Sequence, residues 1–199
     1  MFRADHVGSL LRPQAIKDAR KACLEDGSIS ADVLSRVEDE AICQSVAMQQ
    51  SAGLKAVTDG EYRRSFWHFD FLGDLTGFEL VERDQGVQFS CPTLRPIFPT
   101  NSGKLDFPDD HPMLAHFAYL ASIANVQPKI SIPGPSCCHF RTDAADIKPA
   151  EYTDLDVLFA DITTIYAKAV KAFYVAGCRY LQMDDIYFCL LYTSPSPRD

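Results

Sequence analysis

The chain has 199 residues, 47% of them hydrophobic and 23% charged, ordinary usage for a folded globular protein and unlike a disordered one. Its 19 basic and 27 acidic residues give a net charge of −8, so no basic stripe is at hand to neutralise phosphates and nucleic acid is not an expected partner. The longest apolar run, Ile186 to Tyr192, falls far short of the ~20 residues that cross a bilayer, so no membrane partner is expected either.

The opening residues, Met1 to His6, carry charge where a secretory segment would be apolar. The seven cysteines are odd in number and irregularly spaced, which argues against a disulfide framework. The expectation is a cytoplasmic protein whose cysteines are mostly small buried hydrophobes.

In chain order, Arg3 to Val7 is a first strand candidate. A short helix is expected from Pro13 to about Glu25, with proline near its start and Gly27 beyond its end. A long one begins after Ser30, a good N-cap with Asp32 in the first turn. Its apolar positions Val33, Leu34, Val37, Ala41, Ile42 and Val46 keep helical spacing, and Gly53 ends it. Lys129 to Ile132 reads as another strand. A second long helix runs from about Asp154 to Ala176, closed by Gly177.

Each long helix leads into the same sequence of residue types: Ala-Gly, a small apolar residue, a basic residue, a short strand, then acids. The two copies run from Ala52 to Glu61 and from Ala176 to Asp185, an internal αβ repeat. Alternating helices and strands imply a parallel sheet. Between them, five prolines (92, 96, 99, 108 and 112) fall between Cys91 and Met113, predicting little regular structure over residues 84 to 128 except a short helix at Met113 to Ile123.

About four strands are found, where a (β/α)8 barrel needs eight and roughly 250 residues. The expected fold is therefore an incomplete TIM barrel with a long Pro-rich loop, one domain over residues 1–190. The tail 191–199 has no periodicity and reads as non-native sequence ending a truncated gene product. With half a barrel and open sheet edges, the isolated chain is expected to be inactive and poorly folded.

Ligands of parallel α/β folds collect at the C-terminal ends of strands. Four clusters lie there: His6 to Ser9, Thr58 to Glu61, Pro133 to Ser136 and Gln182 to Asp185. An acid just past a strand suits a ligand's ammonium, and backbone amides at Gly8-Ser9 suit its carboxylate. The plainer reading is that Asp59 and Asp185 cap helices or pair with Arg63, Arg64 and Arg179. Glu61 and Asp184 are the stronger pair, lying at corresponding ends of the repeat.

His6 is either a general base or ligand, or more plainly a hydrogen-bonded pocket or core residue. The aromatic stretch Arg63 to Phe71 either packs as a loop or closes over a substrate. Cys137-Cys138-His139 is poorly spaced for tetrahedral zinc and is read as loop without metal, while Asp143, Asp146 and Asp154 are read as caps and solvated acids. No Gly-x-Gly-x-x-Gly, phosphate-binding lysine loop or nucleophile elbow occurs.

Four stretches carry a resemblance: Phe2 to Pro13, Val57 to Arg64, Lys129 to Ser136 and Gly177 to Asp185. In order and spacing, over about residues 2 to 190, they resemble the cobalamin-independent methionine synthase family, particularly its single-barrel members. The resemblance implies a TIM-like barrel that moves a methyl group from methyl-tetrahydrofolate to homocysteine, giving methionine, with zinc and without cobalamin. It implies that Val7, Gly8 and Ser9 meet the homocysteine carboxylate and that Glu61 and Asp184 hold its ammonium. His6, Pro135 and Ser136 would lie along the substrate cleft.

The family's zinc ligands, a His-x-Cys pair, a Glu and a later Cys, belong to a second half that this sequence lacks, so no metal ligand or catalytic residue is assigned here. Asp185 departs from the Glu-Pro-Ala of the large enzymes, leaving the thiol open. The alternatives are zinc-dependent alkyl transfer to another small thiol, as in epoxide opening, a metal-free barrel, or an inactive fragment.

Overall fold

The computed structural model describes residues 5–82, 97–139, 147 and 149–186. The elements are α1 (Gln14–Leu24), α2 (Ala31–Ser51), β1 (Ala56–Val57), α3 (Phe69–Leu72), β2 (Thr76–Glu82), β3 (Ile97–Asp106), α4 (Pro112–Ile123), β4 (Gln127–Pro128), β5 (Ile130–Pro133), α5 (Leu155–Val175) and β6 (Leu181–Asp184), with short 3-10 turns at Pro135–Cys138 and Ala150–Thr153.

The helix ends follow from local chemistry. The Ser30 hydroxyl accepts from Val33 N and starts α2, filling one of the donors a helix leaves open. The Asp154 carboxylate does the same for Asp156 N before α5, at 3.0 Å. At the other ends the repeat behaves alike. Gly53 and Gly177 take φ of +83° and +95°, a backbone that L side chains resist. Leu54 N then reaches Gln49 O at 3.2 Å and Cys178 N reaches Phe173 O at 2.8 Å, the same five-residue closure that returns the chain from helix to strand.

The described residues divide into two compact units. The first holds 5–65, 113–131 and 173–182. Here β1 pairs in parallel with β4. Lys129 N continues the ladder to Val57 O at 2.9 Å, and on its other side Ile130 N bonds Tyr180 O at 3.2 Å. Its core joins Ile16 of α1, Ala41, Ile42 and Val46 of α2, Val57, Tyr62 and Leu120. Ile16, Ile42 and Val57 are wholly buried, each stabilising the fold by about 2 kcal/mol through removal from water.

The second unit holds 66–82, 97–112, 132–139, 147, 149–172 and 183–186. Its centre is aromatic. Phe71 sits 6.2 Å from Phe107, 5.0 Å from His111 and 5.9 Å from Tyr166, ring centre to ring centre. Tyr152 is buried among the same elements, accepting from Leu105 N at 2.9 Å and donating to Asp161 at 2.6 Å.

Two expectations are corrected. The Pro-rich region is not structureless: β2 and β3 form an antiparallel ribbon with Leu80 opposite Pro99. Proline lacks an N–H but suits the outer edge of a two-stranded ribbon, where no donor is needed. Asp5 to Val7 are not strand, while Arg3 and Ala4 lie outside the described residues. The expected helices are all present. Among the described residues the strands make three two-stranded sheets, β1–β4, β2–β3 and β5–β6, and no closed barrel. The tail 191–199 and Asp143 and Asp146 also lie outside the described residues. No helix among those described is long and apolar enough to cross a membrane.

Candidate functional site

The turn after β1 is built by its own side chains. The Gln49 amide of α2 stands in for a neighbouring strand: its Nε2 donates to Thr58 O and its Oε1 accepts from Thr58 N, both at 2.9 Å. Thr58 Oγ1 then accepts from Gly60 N at 3.2 Å, and Asp59 Oδ1 accepts from Glu61 N at 3.0 Å. Asp59 therefore ties up its own turn. That turn forces Glu61 to φ +58°, a left-handed backbone that a non-glycine residue adopts only under constraint.

The segment before α1 is fastened to this turn. Thr58 Oγ1 donates to Gly8 O at 2.7 Å, and Leu10 N donates to Gly60 O at 3.0 Å. Arg12 Nη2 bridges the carbonyls of Glu61, at 3.0 Å, and Arg64, at 2.5 Å. Gly8 is buried at φ +148°, and a Cβ there would stand 3.7 Å from both Glu61 Oε1 and Ser131 Oγ. Of the expected carboxylate contacts, Val7 and Ser9 are exposed and Gly8 lies against Glu61.

Glu61 is 6% exposed, and a carboxylate out of water needs partners. It has Arg64 Nη1 at 3.6 Å and the Ser131 hydroxyl at 3.1 Å. A further buried charge lies in the same unit. Lys129, 1% exposed, donates from Nζ to Asp5 Oδ2 at 2.8 Å and to His6 O, and lies 4.8 Å from the centre of the Tyr180 ring. Burial alone would raise the Asp5 pKa, but hydrogen bonds from Lys129, Tyr180 and His6 N hold it below its ordinary value. The bond to Asp5 in turn raises Tyr180. His6 is half-buried, and neither ring nitrogen meets a partner among the described residues.

In the second unit the glycine turn after β5 meets the acids after β6. Gly134 N donates to Asp184 O at 2.9 Å, and the Ser136 hydroxyl donates to Asp185 Oδ1. Pro135, Ser136 and Asp184 are half-buried. Asp185 thus engages Ser136. Arg179, one of the arginines expected to pair with acids, instead donates to the carbonyls of Tyr174 and Cys178.

Cys137 and Cys138 are buried in the 3-10 turn, and Tyr166 donates to Pro133 O at 2.9 Å beside them. Burial pushes the Cys138 thiol up to about 12. In the aromatic stretch, Phe69 and Phe71 are buried in α3 together with the following Leu72, so its end packs inward.

Four contributors were not anticipated from sequence: Arg12, Gln49, Lys129 and Ser131. For the last two a signal was present. In Lys129-Ile130-Ser131-Ile132 polar and apolar residues alternate, and period two puts Lys129 and Ser131 on one face of the strand. Nothing in the local sequence marks Gln49 or Arg12, whose partners lie in the turn around residues 58–64.

No protein-family model matches the chain. YxjH and YxjG of Bacillus subtilis, both described as uncharacterized, are each 43% identical to it, over 192 and 188 residues. The matches cover 96% and 92% of this chain but 50% and 48% of those proteins, so the chain spans about half their length. Among solved structures, a "Putative Vitamin-B12 Independent Methionine Synthase" of Listeria monocytogenes superposes with a TM-score of 0.81 at 39% identity, over 100% of this chain and 56% of that one. The chain is similar in sequence and fold to a protein with a methionine synthase name. A B12-independent methionine synthase of Shewanella sp. W3-18-1, solved with selenomethionine, shares the fold at a TM-score of 0.59 and 20% identity, over 81% of this chain and 45% of that one.

Proposed function

We propose that the chain is the substrate-gripping part of a TIM-barrel methyltransferase that makes methionine from homocysteine. The methyl donor would be a methyl-tetrahydrofolate: its N–CH3 bond breaks as the S–CH3 bond forms, and the thiol proton is exchanged for the methyl group. In this reading Glu61 accepts from the homocysteine ammonium and the Val7-Gly8-Ser9 backbone receives its carboxylate. Asp184 is given the second ammonium contact on the sequence resemblance alone. His6, Pro135 and Ser136 are assigned to the cleft on the same ground.

The observation that carries the reading is the buried Glu61 carboxylate, fixed by Arg64 and Ser131 beside the Gly8 backbone. A buried acid, a left-handed turn and a close-approaching glycine at one strand end are costly to build for stability alone. The likeness to the Listeria protein supports the same reaction class.

Zinc in such an enzyme would hold the thiol as thiolate. The residues described here do not fit that role. No three His, Cys, Asp or Glu side chains gather among them as ligands, and the buried Cys138 thiol stays protonated, its pKa about 12.

The test is calorimetric binding of L-homocysteine and of 4-mercaptobutanoate, which lacks only the amino group. Homocysteine should bind more tightly, and Glu61→Gln should erase at least tenfold of that preference, the size of one charged hydrogen bond. Equal binding of the two ligands by the unaltered chain would refute the assignment of Glu61.

A further inference from the structure

We infer that Ser131 is a positioning residue that decides which oxygen of Glu61 meets the ligand. The inference rests on the reading that Glu61 grips an ammonium, and deepens it.

Both protein contacts to the Glu61 carboxylate fall on the same atom. Ser131 Oγ lies 3.1 Å from Oε1, and Arg64 Nη1 lies 3.6 Å from Oε1. The two partners are themselves linked: Arg64 Nη1 reaches Ser131 Oγ at 3.5 Å and Nη2 donates to Ser131 O at 2.6 Å. Oε1 is thus claimed from the protein side, and among the described residues Oε2 is left to the ligand by every hydrogen bond and ion pair. An ammonium approaching the carboxylate finds its acceptor there.

The left-handed backbone at Glu61 fixes where the side chain starts, but rotation about its outer bonds remains, and the carboxyl torsion is broad. A single hydroxyl on a buried strand residue is suited to removing that freedom. Ser131 is 3% exposed and sits in the all-buried strand β5, so its own rotamer is limited by packing. Arg64 supplies charge, but at 3.6 Å its hold on direction is weaker than that of a hydroxyl within hydrogen-bond distance. Gly8 belongs to the same device. A Cβ there would stand 3.7 Å from Oε1 and from Ser131 Oγ, filling the space beside the pair.

The experiment compares homocysteine with 4-mercaptobutanoate on Ser131→Ala, Ser131→Thr and Glu61→Gln in the full chain. Ser131→Ala should weaken homocysteine about tenfold and leave 4-mercaptobutanoate unchanged, and Ser131→Thr, which keeps the hydroxyl, should recover most of the loss. A Ser131→Ala variant that weakens both ligands equally has only a packing role, and one that weakens neither has none; either overturns the inference. If Glu61→Gln erases the preference for homocysteine while Ser131→Ala does not, the proposed function stands and this inference fails. If Glu61→Gln changes nothing, or the unaltered chain binds neither ligand, the reading beneath it fails too. Should Ser131→Ala not fold, the near-isosteric Ser131→Cys, a weak donor, carries the same comparison.

Discussion

The two units are organised by different forces. Around Glu61 the first unit is stitched with directional bonds: Gln49 on Thr58, Thr58 on Gly8, Arg12 on two carbonyls, Ser131 and Arg64 on the carboxylate. Around Phe71 the second unit is filled with rings, and its polar groups such as His111 and Tyr152 serve to close the packing. Packing without direction tolerates reshaping so long as volume is kept. A network of buried polar groups is unforgiving, since one lost partner strands the rest. The first unit's construction fixes individual atoms in place; the second unit's fills a core.

Substitutions can break that contrast in order of size. Phe71→Ala should cost the most, about 3–5 kcal/mol by cavity formation, read as a lowered midpoint in denaturant, whereas Phe71→Leu should recover much of it. Gln49→Leu keeps the volume but leaves Thr58 N and O buried without partners, and should cost about 2–4 kcal/mol. If a volume-conserving change were as mild there as at Phe71, the distinction between the units would fail.

A pH titration sharpens it. His111 is buried, with Nε2 3.1 Å from Phe71 O. Burial lowers its pKa, opposed by that carbonyl and by the charges of Asp74 and Asp110. The unfolded chain therefore takes up a proton near pH 6.5 while the folded one resists, so stability falls as pH drops below about 6.5. His111→Gln should flatten that limb. Asp5 has the opposite partners but the same direction of effect: its pKa is lowered in the fold, so its contribution is present above about pH 4 and lost as pH falls further. Asp5→Asn should flatten only this lower limb, and urea melts across pH separate the two. The smallest effect is chemical: at pH 8 a thiol reagent should modify exposed Cys43 well before buried Cys137 and Cys138, which mass spectrometry of the native protein would show.

What the sequence made legible was whatever depends on neighbours in the chain. The caps at Ser30 and Asp154 and the glycines ending α2 and α5 are local chemistry, and each is where spacing put it, whereas Asp59, expected to cap a helix or pair with an arginine, bonds within its own turn. The β2–β3 ribbon was misjudged because proline was weighed as a breaker without knowing that Pro99 would sit on an edge. The site was half visible. Gly8 and Glu61 were picked out by type and place, and they do lie together, but Ser131 and Arg12 join them from 70 and 49 positions away along the chain. Such long-range pairing follows from how strands align, which a single sequence does not state.

The matching closures of α2 and α5 act as a ruler. Each sets a fixed number of residues between the last helical turn and the first paired strand residue. Lengthening the link between Gly53 and Ala56 by one residue would invert which side chains of β1 point to each face. Val57 would leave the core and the turn bearing Glu61 would start out of phase. Evolution can exchange nearly any exposed residue of these helices, but it cannot cheaply change this count.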